Sequence, residues 1–220
     1  MSERIPGVSD DVERRILALA HDTRRQTPIR RRVAIAAVVV VVVSLVMVVR
    51  PRPDLALLPI VPLALTTAAA LAGAAFTLRA SASTRRSTGP KLQLLLALAI
   101  ASAPLYALLT AVSPLRARGA PAPVGTFAQC LASAWSCFGV MMMMAGAGLA
   151  ALLVAFRHAV PVSPRARGAA FGAAAGAWGG LAIHLRCPSS DTVHILAGHA
   201  LPIALMAAVG AVVAPFIVRP

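Results

Sequence analysis

Long apolar stretches alternate along this chain with short arginine-bearing connectors, after a charged leader. The apolar segments run over 33–49, 55–78, 92–112, 126–156, 168–185 and 193–218. A helix needs about 20 apolar residues to cross a hydrocarbon core roughly 30 Å thick. Only helices and closed barrels satisfy their backbone in lipid, so the pattern predicts an all-α polytopic membrane protein with six transmembrane helices. The first segment is short and spans if its flanking arginines snorkel. The fourth is too long for one straight span, so its ends are expected to project. Pro62, Pro104 and Pro202 lie inside segments and predict kinks that neighbouring helices absorb.

Residues 1–32 follow a different rule. Pro6-Gly7 breaks earlier structure, and Asp10 with Glu13 makes a capping box at a helix start. Val8, Val12, Ile16 and Leu19 then recur at helical spacing with Leu17 beside them, while Asp11, Glu13, Arg14 and Arg15 take the other face. Pro28 marks the end. An amphipathic helix this short is marginal alone. It lies on the bilayer or docks into a groove of a partner protein. The expected division is therefore a head over 1–32 and a transmembrane domain over 33–220.

Composition agrees with the membrane reading: 59% of 220 residues are hydrophobic, only 13% are charged, and mean hydropathy is +0.81. The net charge of +14 would suit nucleic acid, but the basic residues sit in connectors, where they set topology. No direct nucleic-acid contact is expected. The leader, the second and fourth connectors and the tail hold 16 of the 21 lysines and arginines. The positive-inside rule then puts both termini on the cytoplasmic side of the membrane.

That orientation places the stretch from His184 to His199 at the outer face. Three of the five histidines and one of the three cysteines fall within it. Cys130, at the start of the fourth segment, is expected at the depth of Cys187. Cys137 lies two turns further along, about 10 Å deeper, and reads as a packed, inert thiol. Cys130, Cys187, His184, His194 and His199 can converge as a thiol-based sensor or a metal site; equally, they can be small buried residues and interfacial histidines. Met141 to Met144 admit a soft-metal path, although methionine runs usually fill gaps. Gly168, Gly172, Gly176 and Gly180 recur every four residues, which lets a neighbouring helix approach closely. His184 is the next position on that winding ridge.

The spans hold no acidic residue, which argues against ion-coupled transport. No nucleophile–base pattern, HExxH or phosphate loop is present, so no enzyme is expected, and neither a catalytic residue, a cofactor nor a metal is assigned.

Several of these features resemble membrane-bound anti-sigma factors of the NrsF type and the related CarR-type regulators. The resemblance is carried by the basic connector with Val160-Pro161 and Pro164, the glycine-spaced fifth segment, Leu185-Arg186-Cys187-Pro188 and His199. In the leader it is carried by Asp10-Asp11, Ile16, Leu17, Leu19 and Pro28-Ile29-Arg30-Arg31. It implies a cytoplasmic head that holds an extracytoplasmic-function (ECF) sigma factor and a membrane domain whose outward cysteines take part in sensing. The sigma-binding residues would be Val12, Ile16, Leu17 and Leu19, and the sensing candidates Cys130, Cys187, His184 and His199. The chain departs from the family at Ser189, where an acidic residue is common, and before His199, where an aromatic is usual. The expected function is sequestration of an ECF sigma factor until an envelope, oxidative or light-related signal releases it. The competing classes are a small membrane metal- or haem-handling protein using His184, Cys187 and His199, and a scaffold subunit without sensing.

Overall fold

A computed structural model describes residues 11, 52–82, 90–112, 125–157 and 163–217. The proposed head residues Val12, Ile16, Leu17 and Leu19, and the first apolar segment, lie outside the described residues. Those described are helical with no strands. After a 3-10 turn at Leu55–Leu57 come α1 (Ile60–Ala82), α2 (Pro90–Val112), α3 (Phe127–Phe156), α4 (Pro164–His184) and α5 (Thr192–Ile217).

The helix α4 is the centre of the bundle. It packs against α1, α2, α3 and α5, most extensively against α5. Nearly every α4 residue from Arg167 to His184 is buried, although most are only glycine or alanine. Small side chains are what permit this, because each removed Cβ lets a neighbouring backbone come closer. A Cβ on Gly168 would collide with the Gly210 carbonyl oxygen, and one on Gly172 with the Met206 carbonyl. One on Gly176 would come 2.8 Å from the Ile203 Cα. The ridge then winds away from α5: a Cβ on Gly180 would sit 2.9 Å from the Tyr106 ring of α2.

Three apolar clusters fill the remaining space. Phe156 stacks on Phe171 at 5.4 Å within a group that includes Leu149, Leu153 and Met206. Tyr106, Met141, Leu181 and Ile203 pack beneath the glycines, and Leu96, Ala99 and Ala170 join α2 to α4. A hydroxyl bond from Thr77 to the Ala170 carbonyl, 3.2 Å, adds α1. The methionine run is split: Met141 and Met144 are buried while Met143 is 64% exposed, so it surrounds its helix as packing material.

The outside of the bundle is apolar. Leu65, Leu71, Leu98, Leu105, Trp135, Val154, Leu205 and Phe216 all face outward. Among the described residues, three helical stretches are long and apolar enough to cross a membrane by length and composition: Ile60–Thr77, Phe127–Phe156 and Thr192–Ile217. Six were expected; the segment 33–49 lies outside the described residues, and the other two fall short for a physical reason. The central α4 is rich in glycine and alanine because it faces helices, and this lowers its hydropathy. The polar start of α2, Lys91 and Gln93, leaves the shorter apolar stretch Leu96–Val112. The long fourth segment is one uninterrupted 30-residue helix, about 45 Å at 1.5 Å per residue.

The glycine seam makes a direct prediction. Gly172→Val drives side-chain atoms into the α5 backbone and should cost about 1–3 kcal/mol or more. Gly139→Ala, where a new Cβ meets nothing within 4 Å, should cost nothing measurable. Thermal unfolding of both variants in detergent checks this; equal midpoints would refute the seam.

Candidate functional site

The segment before α1 and the loop after α4 meet at one end of the bundle, and the polar chemistry gathers there. The chain leaves α4 through a tightening turn. The Arg186 and Cys187 amides both donate to the Ile183 carbonyl, at 3.0 and 2.7 Å, so Cys187 stays against the last helical turn. Pro188 lacks an N–H and ends the run. Asp191 then caps α5, its carboxylate accepting from the His194 amide at 2.9 Å.

The segment before α1 straps this loop from outside. Arg52 forks onto Asp54, with Nε–Oδ1 at 2.6 Å and a second bond to Oδ2 at 2.7 Å. The Arg52 amide donates to the Leu185 carbonyl at 3.1 Å, and its guanidinium reaches the Pro188 carbonyl at 3.4 Å. Arg52 is buried, and its hydrogen bond to Asp54 holds that carboxyl below the ordinary carboxylate value.

Behind the strap lies a cluster from α3, the loop and α5. The Sγ atoms of Cys137 and Cys187 are 3.6 Å apart. The Nε2 of His194 is 3.3 Å from the Cys187 Sγ. His199 completes the group: one ligand atom each from Cys137, Cys187, His194 and His199 fall within 4.8 Å of one another. A shared thiol contact with Cys137, and then burial, push the Cys187 thiol above its ordinary value. The three histidine rings form an edge-to-face chain, His184 to His199 at 5.7 Å and His199 to His194 at 5.5 Å. His184 and His199 are almost fully buried, and neither ring nitrogen of either one has a hydrogen-bond partner.

A local backbone departure brings the rings together. Residues five apart on an α-helix point about 140° away from each other. Leu196–Ala200 is instead a π turn, closed by the Leu201 amide on the Leu196 carbonyl. The wider turn returns position i+5 to the face of position i, so His194 and His199 stand side by side. Gly198 within it faces α3; a Cβ there would be 3.0 Å from the Ala134 carbonyl and 3.3 Å from the Cys137 Cβ.

Among the expected site residues, Cys187, His184 and His199 gather here and Cys130 does not. The Cys130 thiol is beside Asp191 near the start of α3. Cys137, read from the sequence as inert packing, takes the position facing Cys187. The expectation erred because Cys187 is not at the rim: its bond to Ile183 holds it level with the third turn of α3 rather than the first. His194 was in the expected group, but no sequence signal pointed to the π turn that aligns it. Gly168, Gly172 and Gly176 meet α5 and Gly180 meets α2, as described above.

A protein-family model described as NrsF, negative regulator of sigma F, matches residues 17–219. The chain belongs to the NrsF family. As a family member it is a negative regulator of a sigma factor. No curated protein and no solved structure matches the chain.

The strap predicts a pH dependence. A carboxyl whose pKa is lowered on folding contributes stability above its unfolded value of about 3.9, lost as pH falls through the lowered value. Asp54→Asn should therefore lower stability at neutral pH by about 1–3 kcal/mol, read as a lower thermal midpoint, because Arg52 remains buried without its counter-charge. The gap to wild type should close on acidification below about pH 4. Midpoints that differ equally at both pH values would contradict the assignment.

Proposed function

We propose that this protein is a membrane-bound anti-sigma factor of the bacterial inner membrane. The N-terminal segment sequesters an ECF-type sigma factor in the cytoplasm, and the Cys/His end of the bundle receives the signal that releases it. The observation that carries the reading is the family match over residues 17–219. The outward apolar faces of the helices support a lipid surround. In this reading all five described helices cross the bilayer, α4 shielded from lipid by its neighbours, and the apolar segment 33–49 adds a sixth crossing. Both termini are then cytoplasmic. The apolar stripe Val12, Ile16, Leu17 and Leu19 is the surface that buries against the partner, and Cys137 joins Cys187 as the sensing pair in place of Cys130.

Release needs two arrangements of the bundle with different affinity for the partner. The strap at Arg52 and Asp54 follows directly on the 33–49 segment, which leads from the head. A change in the loop at Cys187 therefore has a short covalent route to the sigma-binding end.

The test uses the full-length protein in detergent and the sigma factor encoded by the same genome. Wild-type protein should retain the sigma factor on an affinity column, and Ile16→Asp should lose most of it, because burying an unpaired charge in an apolar contact is costly. No retention by wild type, or equal retention by Ile16→Asp, rejects the reading.

A further inference from the structure

Cys137, Cys187, His194 and His199 come from three parts of the fold, α3, the loop 185–191 and α5, and converge at one end of the bundle. We propose that they bind one thiophilic divalent cation of the Zn2+ class in a tetrahedral Cys2His2 site. The proposal deepens the sensing role proposed above for this end of the bundle, but stands on geometry that does not involve the sigma factor.

The spacing fits first. A tetrahedron with Zn–S near 2.3 Å and Zn–N near 2.0–2.1 Å has edges of about 3.3–3.8 Å. The Cys137–Cys187 separation of 3.6 Å and the Cys187–His194 separation of 3.3 Å are such edges. All four ligand atoms fall within 4.8 Å of one another, so small rotamer shifts complete the shell.

The buried imidazole of His199 is the second, independent observation. It is fully buried and makes no hydrogen bond from either nitrogen. A polar group buried without a partner costs about 1–3 kcal/mol, and ligation of one nitrogen removes part of that cost. The ring is held in this position by a π turn, a departure frequent at functional sites.

The outer partner of His194 fixes its chemistry. The Ser133 hydroxyl donates to the Cys130 carbonyl at 2.9 Å. It therefore accepts from Nδ1–H of His194, also at 2.9 Å. This assigns the proton to Nδ1 and leaves the Nε2 lone pair directed at the cluster, the arrangement metal-binding histidines usually show. His184 lies outside the four-atom set and only abuts the His199 ring.

Charge selects the ion class. Ligation releases one proton from each thiol, and two thiolates with two neutral imidazoles around a divalent ion make an electrically neutral centre. A monovalent ion would leave a buried negative charge in apolar surroundings, which is costly. Two soft sulfurs exclude Mg2+ and Ca2+, which take oxygen ligands.

The test is a Co2+ titration of full-length protein in detergent, stripped with chelator and kept under a non-chelating reductant. Wild type should bind one Co2+ with the intense visible bands of a tetrahedral site and a near-ultraviolet thiolate band, all removed by one equivalent of Zn2+. Cys187→Ser and His199→Gln should lose or distort these bands, and Cys130→Ser should keep them. Ser133→Ala should keep the spectrum but bind roughly 10–100-fold more weakly. Wild type without tetrahedral bands, or bands unchanged in both Cys187→Ser and His199→Gln, overturns the site. Sigma-factor retention measured on the same preparation separates the two ideas: a spectrum without retention rejects only the anti-sigma reading, and retention without a spectrum rejects only the metal site.

Discussion

The direct approach of two helix backbones, α4 and α5, is the constraint on which the rest of this structure depends. Gly168 and Gly172 place their Cα atoms against the carbonyls of Gly210 and Met206, with no side chain between. In the membrane setting proposed above, apolar side chains would gain little by leaving one apolar medium for another, so association would rest on close van der Waals packing. A seam of this kind supplies it only where both helices keep their register. That register determines where α4 ends, where the loop 185–191 emerges and how deep Cys187 lies.

The seam also accounts for the composition of the central helix. An element surrounded by other helices has no need of large apolar residues, and α4 is built almost entirely of small ones. Large apolar side chains such as Tyr106, Met141, Phe156 and Ile203 fill the space beside this thin helix, while Leu105, Trp135 and Phe216 cover the outward faces.

Much of the fold was legible in the sequence, since apolar runs bounded by arginines and prolines map directly onto helices. The segment predicted at 126–156 is the helix Phe127–Phe156, and the break before residue 193 is the loop that ends at the Asp191 cap. The glycine spacing likewise named the residues of the seam. The site was less legible because its arrangement depends on two local departures from helical periodicity. The partner of Cys187 was misplaced by two turns, since its anchoring to Ile183 is a property of the turn and not of spacing. The alignment of His194 with His199 was hidden, since a spacing of five points away from alignment on a regular α-helix. Residues of the head lie outside the described structure, so their sequence reading rests on pattern and family alone.

The π turn at Leu196–Ala200 has a consequence for the chain beyond it. A π turn is equivalent to one residue inserted into an α-helix, so everything from Leu201 to Ile217 is phased by it. Were the turn to tighten into regular helix, that half of α5 would rotate by about 100° relative to the half carrying His194. Met206 and Gly210 could not then both stay opposite Gly172 and Gly168. The side-chain cluster at one end of the molecule and the glycine contact through its middle therefore draw on the same single residue of slack.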